Sequence, residues 1–408
     1  MIPRVVVSLT ALWALCLLSS CASVAPSGVE ERSAGPRYGI IIDAGTTGTR
    51  VHIYALDGRD EEGVPRVQAA PWPRGQGEPL WEMRVEPGLI DSGGNPEAAI
   101  ASIEPLIAYA ADRVGPDERE LRRTPLFLMA TAGMRALPEQ EREAILGPVR
   151  AWLRASSPFH VKDVRVITGE EEALFGWLTI NYAGGTLNAR GTQETLGVLD
   201  MGGGSTQIAF APTKAPEAHG VSVDFGPSAL QLYARSYLGY GEERMLERVA
   251  DPRCSPRGAP LEGGRVGQGD YAACRAVILK ALEGPCDKGP CSLMGAWQPP
   301  LRGDFVAVSA YFYTMTFAEA GDPASLEALE RFGVHYCASE WSEILKAHPE
   351  VDPRYLVQYC FSAAYMVSIL HEGYGFDMET TQIRALDRIG GNDTGWTLGA
   401  MIFEASAL

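Results

Sequence analysis

Two glycine-rich turns contain the residues best suited to bind phosphate. The first lies in the segment 43–50, Asp-Ala-Gly-Thr-Thr-Gly-Thr-Arg, and the second in the segment 200–207, Asp-Met-Gly-Gly-Gly-Ser-Thr-Gln. In both segments an aspartate precedes the glycines and hydroxyl side chains lie beside them. Glycine lets backbone N–H groups approach phosphate oxygens closely, and hydroxyl groups can add further donors. We therefore expect each turn to hold phosphate oxygens.

The aspartates of the two turns, Asp43 and Asp200, are candidate metal ligands. Mg²⁺ and Ca²⁺ prefer oxygen ligands, and Mg²⁺ usually keeps several of its waters. Two aspartates on opposite walls of a cleft could hold such a hydrated ion against the phosphates. Considered alone, each aspartate could equally be a residue that caps its own turn.

Three consecutive glutamates, Glu170 to Glu172, lie where a helix is predicted to begin. Acidic side chains at that end of a helix interact favourably with its dipole, which is one explanation for them. The other is that one glutamate accepts the proton of a water that attacks phosphorus. Three successive residues cannot share one helix face, so at most two of them can serve one site.

The elements around these residues predict an α/β architecture. Apolar runs flank both turns, which indicates two strand–turn–strand hairpins. Their similarity predicts two related domains facing each other across a cleft, the alternative being two unrelated hairpins. Helical spacing of apolar residues and short apolar runs predict the remaining elements, which are helices over 95–114 and 138–155 and strands over 125–130 and 161–168.

Composition excludes some classes of ligand. The chain has 408 residues, which suits two domains, and a formal net charge of −16. An acidic protein lacks the positive field that nucleic-acid backbones require, so we expect no nucleic-acid partner. A small phosphorylated ligand would have to be bound locally, by backbone N–H groups and a cation.

The N-terminal residues predict export. Arg4 precedes an apolar run from Val5 to Leu18, which is shorter than the roughly 20 residues of a membrane-spanning helix. Small residues before Cys21 are typical of a bacterial lipoprotein signal, in which Cys21 becomes the lipidated first residue. The alternative is cleavage near residues 22–23 and free secretion. We predict a signal peptide over 1–20 and a tether over 21–36. The lipid would anchor the protein in a bacterial membrane, with the protein facing the periplasm or the cell surface.

Six further cysteines all lie in the second half of the chain: Cys254, Cys274, Cys286, Cys291, Cys337 and Cys360. Their even number and the predicted export favour disulfides over a metal cluster, and there is no Cys-x-x-Cys pair among them.

Five segments resemble, in order, the signature regions of the ecto-nucleoside triphosphate diphosphohydrolase (apyrase) family. They are residues 43–50, 130–135, 168–182, 199–207 and 395–401, and the stretch 359–365 is also similar. The resemblance implies an exported bacterial member that hydrolyses nucleoside tri- and diphosphates with Mg²⁺ or Ca²⁺. It also implies two RNase H-like domains of the actin, Hsp70 and sugar-kinase type. We expect the first at 37–165 and 376–408 and the second, with disulfide-linked insertions, at 166–375.

The resemblance also implies roles for individual residues. Glu172 is expected to be the base, Ser205 to hold the attacking water, and Thr131 to lie near the reacting phosphate, while Asp43 and Asp200 bind the metal through waters. The expected phosphate-binding residues are Thr46, Thr47, Gly48, Thr49, Arg50, Gly202, Gly203, Gly204 and Gln207. From sequence proximity and the family-like setting of the last pair, we expect disulfides Cys254–Cys274, Cys286–Cys291 and Cys337–Cys360.

The resemblance also implies that the nucleoside base stacks between Tyr313 and Arg354, which lie where apyrase-like proteins bind the base. Alternatively, tyrosines in the apolar segment 310–317 belong to the core of a helix. Both readings stay open at this point.

Two alternatives to the apyrase function remain. Glu170 and Ala173 replace the Gln and Gly usual in that family, and Gly-Glu-Glu-Glu-Ala resembles the exopolyphosphatase and guanosine pentaphosphatase family instead. This leaves open whether Glu171 or Glu172 is the base. Segments 176–182 and 395–399, together with export, favour the apyrase family. The second alternative is a surface protein that binds nucleotides without catalysis.

Overall fold

The computed structural model describes residues 38–61, 63–71, 79–187, 195–225, 228–286 and 289–408. The predicted signal peptide, Cys21 and the tether lie outside these residues, so they stay predictions. No helix in the described ranges has the length and apolar character needed to cross a membrane.

The described part of the first lobe is built on a sheet that contains the first hairpin. Its strands are β1 (Tyr38–Ala44), β2 (Thr49–Arg59), β3 (Pro65–Ala69), β4 (Glu82–Val85), β5 (Pro125–Ala130) and β6 (His160–Val166). The strand order is β3-β2-β1-β5-β6, and β4 pairs with the other end of β2. Strands β1 and β2 are antiparallel, whereas β5 runs parallel to β1. The loop after β1 and the loop after β5 therefore lie side by side at one edge of the sheet.

The second lobe repeats this arrangement. Its strands are β7 (Gly197–Met201), β8 (Ser205–Phe210), β9 (Gly220–Phe225), β10 (Ser228–Leu238), β11 (Phe305–Ser309) and β12 (Ile383–Ala385). The order is β12-β11-β7-β8-β10-β9, so β10-β8-β7-β11-β12 matches β3-β2-β1-β5-β6 of the first sheet. A short ribbon, β13 (Arg388–Ile389) and β14 (Asn392–Asp393), follows. The repeated order confirms the predicted α/β fold with two related lobes.

The helices cover both faces of the two sheets. They are α1 (Pro96–Val114), α2 (Glu118–Arg123), α3 (Ala132–Arg135), α4 (Glu139–Ser156), α5 (Gly169–Ala183), α6 (Glu242–Val249), α7 (Tyr271–Leu282), α8 (Ala310–Phe317), α9 (Leu326–Ala338), α10 (Trp341–Ala347), α11 (Pro353–Leu356), α12 (Tyr359–Ser368) with a π-helical turn over Ile369–Gly373, and α13 (Thr397–Ser406). Helices α1 and α4 pack outside the first sheet, and α7, α9 and α12 pack in the second lobe.

Helices α5 and α13 cross each other between the two sheets. Helix α13 packs against β1 and β3, while α5 packs against β7, β8 and β10. Gly399 permits the crossing, because a Cβ at this position would lie 1.9 Å from the carbonyl oxygen of Phe175. The Thr179 hydroxyl donates to the oxygen of Gly395 and accepts from the N–H of Gly399. The core of this layer contains apolar side chains from both sheets, so the two helices join the lobes.

Three disulfides, Cys254–Cys274, Cys286–Cys291 and Cys337–Cys360, link segments of the second lobe. They are the three predicted pairs. The first links the segment before α7 to α7, and the third links α9 to α12. The exact domain limits stay predictions. The strand Ile383–Ala385 pairs with the second sheet, whereas α13 packs on the first.

Candidate active site

Both glycine-rich turns line one cavity of about 620 Å³. We call residues 45–48 the first phosphate loop and residues 202–204 the second phosphate loop. The two loops touch, because a Cβ on Gly204 would lie 2.7 Å from the Thr46 hydroxyl and 2.8 Å from the Cβ of Ala132. A side chain at position 204 would meet these atoms, so the close approach of the two loops favours glycine there. The structure thus places the two predicted loops on one site.

Asp43 and Asp200 occupy equivalent positions at the ends of β1 and β7, and both line the cavity. Burial, with the negative charge of Glu172 as the next cause, raises the pKa of Asp43 to about 7. Burial also raises the pKa of Asp200 to about 6, with Glu172 and Asp393 adding to the effect. Both carboxyls are buried and have acidic neighbours, so a cation bound between them would stabilise their charged forms.

The donor set fits a hydrated hard cation. Oδ1 of Asp43 is buried and has no hydrogen-bond partner among the described residues. Across those same ranges, no cluster of three or more His, Cys, Asp or Glu side chains could hold a metal. An ion at this site would therefore be held by the two aspartates, with waters and phosphate oxygens completing its shell, as Mg²⁺ in particular allows.

Glu172 points into the cavity from the first turn of α5, and only 8% of its surface is exposed. Its Oε2 accepts hydrogen bonds from Nη2 of Arg135 at 2.7 Å and from Nε2 of Gln207 at 3.1 Å. Burial raises the pKa of Glu172, and the guanidinium of Arg135 opposes this effect.

Glu171 has a different position. Its carboxylate accepts from the N–H of Thr168 at 2.7 Å and from Arg165 at 2.9 Å, closing a capping box at the start of α5. Its pKa is lowered overall, because these hydrogen bonds outweigh burial. The geometry therefore favours Glu172 over Glu171 as the residue that can meet a substrate.

Ser205 belongs to the same network as Glu172. Its Oγ accepts from Arg135 at 3.1 Å and from Gln207 at 2.6 Å. The Ser205 hydroxyl also carries a proton that it can donate. Thr131, which precedes α3, also lines the cavity and is 5% exposed. The three predicted catalytic residues thus lie around one cavity.

Two of the predicted phosphate-binding side chains lie elsewhere. Thr49 is fully buried, and its hydroxyl accepts the N–H of Leu89 at 3.0 Å instead of facing the cavity. Gln207 also lies off the cavity surface, where its amide nitrogen is within hydrogen-bond distance of Glu172, Ser205 and Ser236. The remaining predicted phosphate-binding residues line the cavity: Thr46, Thr47, Gly48, Arg50, Gly202, Gly203 and Gly204.

Of the predicted base-binding pair, Tyr313 lines the cavity and Arg354 does not. Tyr313 lines the cavity and is 66% exposed, so it is not a core residue of α8, whereas Tyr311 on the same helix is fully buried. Arg354 does not line the cavity and instead pairs with Asp352 at 2.9 Å. Its neighbour Tyr355, which is 56% exposed, lines the cavity in its place.

Sequence reasoning missed several lining residues. Ser309 hydrogen-bonds Asp200 from a backbone with φ of 60°, a conformation unusual for a non-glycine residue and often found at functional sites. His52 lines the wall near Arg50, and burial lowers its pKa to about 3, so it is neutral. The other missed lining residues include Arg84, Glu242, Glu243, Asp387, Asp393 and Trp396. Of these, only Trp396 lies within a segment that the sequence singled out.

The chain is similar to known nucleoside phosphatases over most of its length. The pattern of the GDA1/CD39 (nucleoside phosphatase) family matches residues 29–255 and 262–408. The chain is 32% identical to probable apyrase 3 of Arabidopsis thaliana, over 94% of this chain and 85% of that protein. It is 30% identical to ectonucleoside triphosphate diphosphohydrolase 1 of Rattus norvegicus, over 90% of this chain and 80% of that protein.

Solved structures show the same fold. One, titled nucleoside triphosphate hydrolases from Neospora caninum, has a TM-score of 0.63 at 16% identity and covers 91% of this chain and 93% of its own. A Ppx/GppA family member from Aquifex aeolicus has a TM-score of 0.50 at 15% identity, over 90% of this chain and 97% of its own. These relatives do not test the predicted bacterial origin or export. By the family match and the two sequence relatives, the chain belongs to the GDA1/CD39 (nucleoside phosphatase) family.

Proposed function

We propose that this protein hydrolyses the terminal phosphoanhydride bonds of nucleoside tri- and diphosphates by in-line attack of water. The observation that carries the proposal is the meeting of two phosphate loops, Glu172 and Ser205 at one cavity. Relatives named as an apyrase and as an ectonucleoside triphosphate diphosphohydrolase support it.

Glu172 is the general base in this proposal. Its two hydrogen bonds are both made to Oε2, which leaves Oε1 to accept the proton of the attacking water. Burial raises the pKa of Glu172, which favours proton uptake, and the charge of Arg135 opposes this effect. Ser205, whose oxygen accepts two hydrogen bonds, donates its hydroxyl proton to the same water and fixes its position.

The phosphate loops bind and orient the chain of phosphates. Backbone N–H groups of both loops and the hydroxyls of Thr46 and Thr47 surround its oxygens, with Thr131 near the phosphorus that is attacked. Asp43 and Asp200 would hold Mg²⁺ or Ca²⁺ through waters. When bound, the cation supplies positive charge that neutralises phosphate oxygens.

The nucleoside end lies toward the exposed tyrosines. Tyr313 and Tyr355 line the cavity with large aromatic faces, and stacking on such faces accepts any base. We propose Tyr355 in place of Arg354 as the residue that works with Tyr313. This arrangement predicts broad base specificity and favours nucleotides over polyphosphate, which has no base to stack.

One assay tests the proposal against both alternatives. Phosphate release is measured on ATP, ADP, GTP and long-chain polyphosphate, each with Mg²⁺, with Ca²⁺ and with excess EDTA. We expect higher kcat/KM on the nucleotides and no activity in EDTA. Higher kcat/KM on polyphosphate would assign the exopolyphosphatase function, and nucleotide binding without release would assign a non-catalytic one. Full activity in excess EDTA would refute the proposed requirement for a divalent cation.

A further inference from the structure

We propose that Arg84 binds the phosphate chain of the substrate, as a residue outside the glycine-rich turns. This inference rests on the proposed function and adds a side chain to its site. Arg84 lies on β4 and lines the cavity. Nothing in the sequence around it singled it out.

The sheet register places Arg84 beside the proposed phosphate site. Asp43 on β1 is paired with Arg50 on β2, and Arg50 is paired with Arg84 on β4. Directly paired residues in antiparallel strands project to the same face. The three side chains therefore form a row that leads outward from the metal-binding aspartate along one wall of the cavity.

The contacts of Arg84 are with the first phosphate loop itself. Its Nη2 donates to the hydroxyl of Thr47 at 3.2 Å. Its Nε lies 2.8 Å from where a Cβ on Gly48 would be, so the guanidinium lies against the backbone of that glycine. A phosphate held by this loop would therefore be within reach of the same guanidinium.

The guanidinium is not tied to a strong partner. Its ion pair is with Glu86 at 2.9 Å, and the two side chains are 41% and 64% exposed. Exposed pairs of this kind are worth little, so exchange of Glu86 for a phosphate costs little. A planar guanidinium can bind two phosphate oxygens at once. The exposed ion pair with Glu86 leaves Arg84 able to do so.

Among the described residues, few fixed cations line the cavity. Its carboxylates are those of Asp43, Glu172, Asp200, Glu242, Glu243, Asp387 and Asp393. Among the described lining residues, the permanently charged cations are Arg50 and Arg84. Arg50 is paired directly with Asp43 in the sheet, whereas Arg84 lies one strand further from that carboxyl. Arg84 is therefore the lining cation least committed to a carboxylate of the metal site.

The test compares Arg84→Gln with Glu86→Gln in the full-length protein, with Mg²⁺ present. We expect Arg84→Gln to raise the KM for ATP roughly ten-fold or more, because a charge-assisted hydrogen bond to phosphate is lost. The kcat should change little, and Arg84→Lys should be intermediate. Glu86→Gln should leave the KM unchanged or lower it, since it frees the guanidinium.

Inorganic tripolyphosphate, used as an inhibitor of ATP hydrolysis, separates phosphate binding from other roles. Its inhibition constant should rise in Arg84→Gln by a factor similar to that for the KM of ATP. Equal KM increases in the Arg84 and Glu86 variants would show a structural ion pair and overturn the proposal. An unchanged inhibition constant in Arg84→Gln would overturn it as well. Absence of ATP hydrolysis by the unaltered protein would instead refute the proposed function.

Discussion

Arg135 connects three parts of the site at the scale of single residues. It donates to Glu172, to Ser205 and to the carbonyl oxygen of Ile167. The sequence placed Arg135 in one signature segment and Glu172 in another, but gave no sign that they pair. Its two side-chain partners are 37 and 70 residues away, so only the folded chain brings them together.

Replacing Arg135 by Met should shift the pH dependence of catalysis. Arg135 opposes the effect of burial on Glu172, so its removal raises the pKa of that carboxyl. A base with a raised pKa is protonated over a wider acidic range, and activity is lost there first. We expect the acidic limb of the profile of kcat/KM against pH to move up by at least about one pH unit.

The matched control is Arg165→Met, which removes the guanidinium that pairs with Glu171 outside the cavity. It should leave the position of the acidic limb unchanged. A profile of Arg135→Met that coincides with the unaltered one would show that the guanidinium does not tune Glu172.

Individual elements were predictable where a local pattern specifies them. Both hairpins form, and the helices predicted over 95–114 and 138–155 and the strands predicted over 125–130 and 161–168 lie within a residue or two of the predicted limits. The capping box of α5 involves Thr168 and Glu171, three residues apart, and it explains why neighbouring glutamates have different environments. Local spacing could not show which of Glu171 and Glu172 faces the cavity. That depends on how α5 packs against β7 and β8, which only the folded chain determines.

The crossing of α5 and α13 was not predictable from either helix alone. Thr179 and Gly399 meet only because the last helix of the chain returns to a helix formed 220 residues earlier. Both helices are largely apolar, so hydrophobic pattern indicated burial without indicating a partner.

Gly399→Ala should destabilise the protein strongly. The new methyl group would lie 1.9 Å from the oxygen of Phe175, so the two helices would have to separate. We expect a loss of about 3 kcal/mol in the free energy of unfolding, the upper end for overpacking. Gly147→Ala is the control, because its Cβ meets nothing nearer than Glu143 at 4.0 Å within α4. It should stabilise by about 0.5–1 kcal/mol. Urea unfolding measures both free energies. Equal changes in the two variants would contradict the close contact between α5 and α13.

The whole molecule repeats one sheet order twice, and the two similar turns were the signal that predicted this. Because of that repeat, each lobe has an aspartate and a glycine-rich loop at the same place in its sheet. The strand that precedes each loop also has a parallel neighbour, β5 in one lobe and β11 in the other. What the repeat did not predict is asymmetry. The proposed base Glu172, the capping box of α5 and the disulfide-linked segments each occur at one place in the chain. The two exposed tyrosines that line the cavity, Tyr313 and Tyr355, both belong to the second lobe.

The proposed membrane anchor is a property of the whole molecule that depends on Cys21. We propose that lipid on this residue attaches the protein to a membrane after export. Cys21→Ser should then move the protein from the membrane fraction to the soluble fraction of the cells that make it, with nucleotide hydrolysis unchanged. Recovery of the unaltered protein in the soluble fraction would favour free secretion.

We propose that Glu172 takes the proton from the water that attacks the nucleotide phosphate. Glu172→Gln keeps the shape of the side chain but cannot accept that proton. We predict that kcat on ATP falls by about 10²–10⁴-fold, the usual contribution of a positioned base. The dissociation constant of a non-hydrolysable ATP analogue, measured by calorimetry with Mg²⁺, should change little, because both loops and both aspartates are intact. Glu170→Gln, whose carboxylate is 44% exposed and faces His219, serves as the control and should keep full turnover. Near-normal kcat in Glu172→Gln would contradict the mechanism.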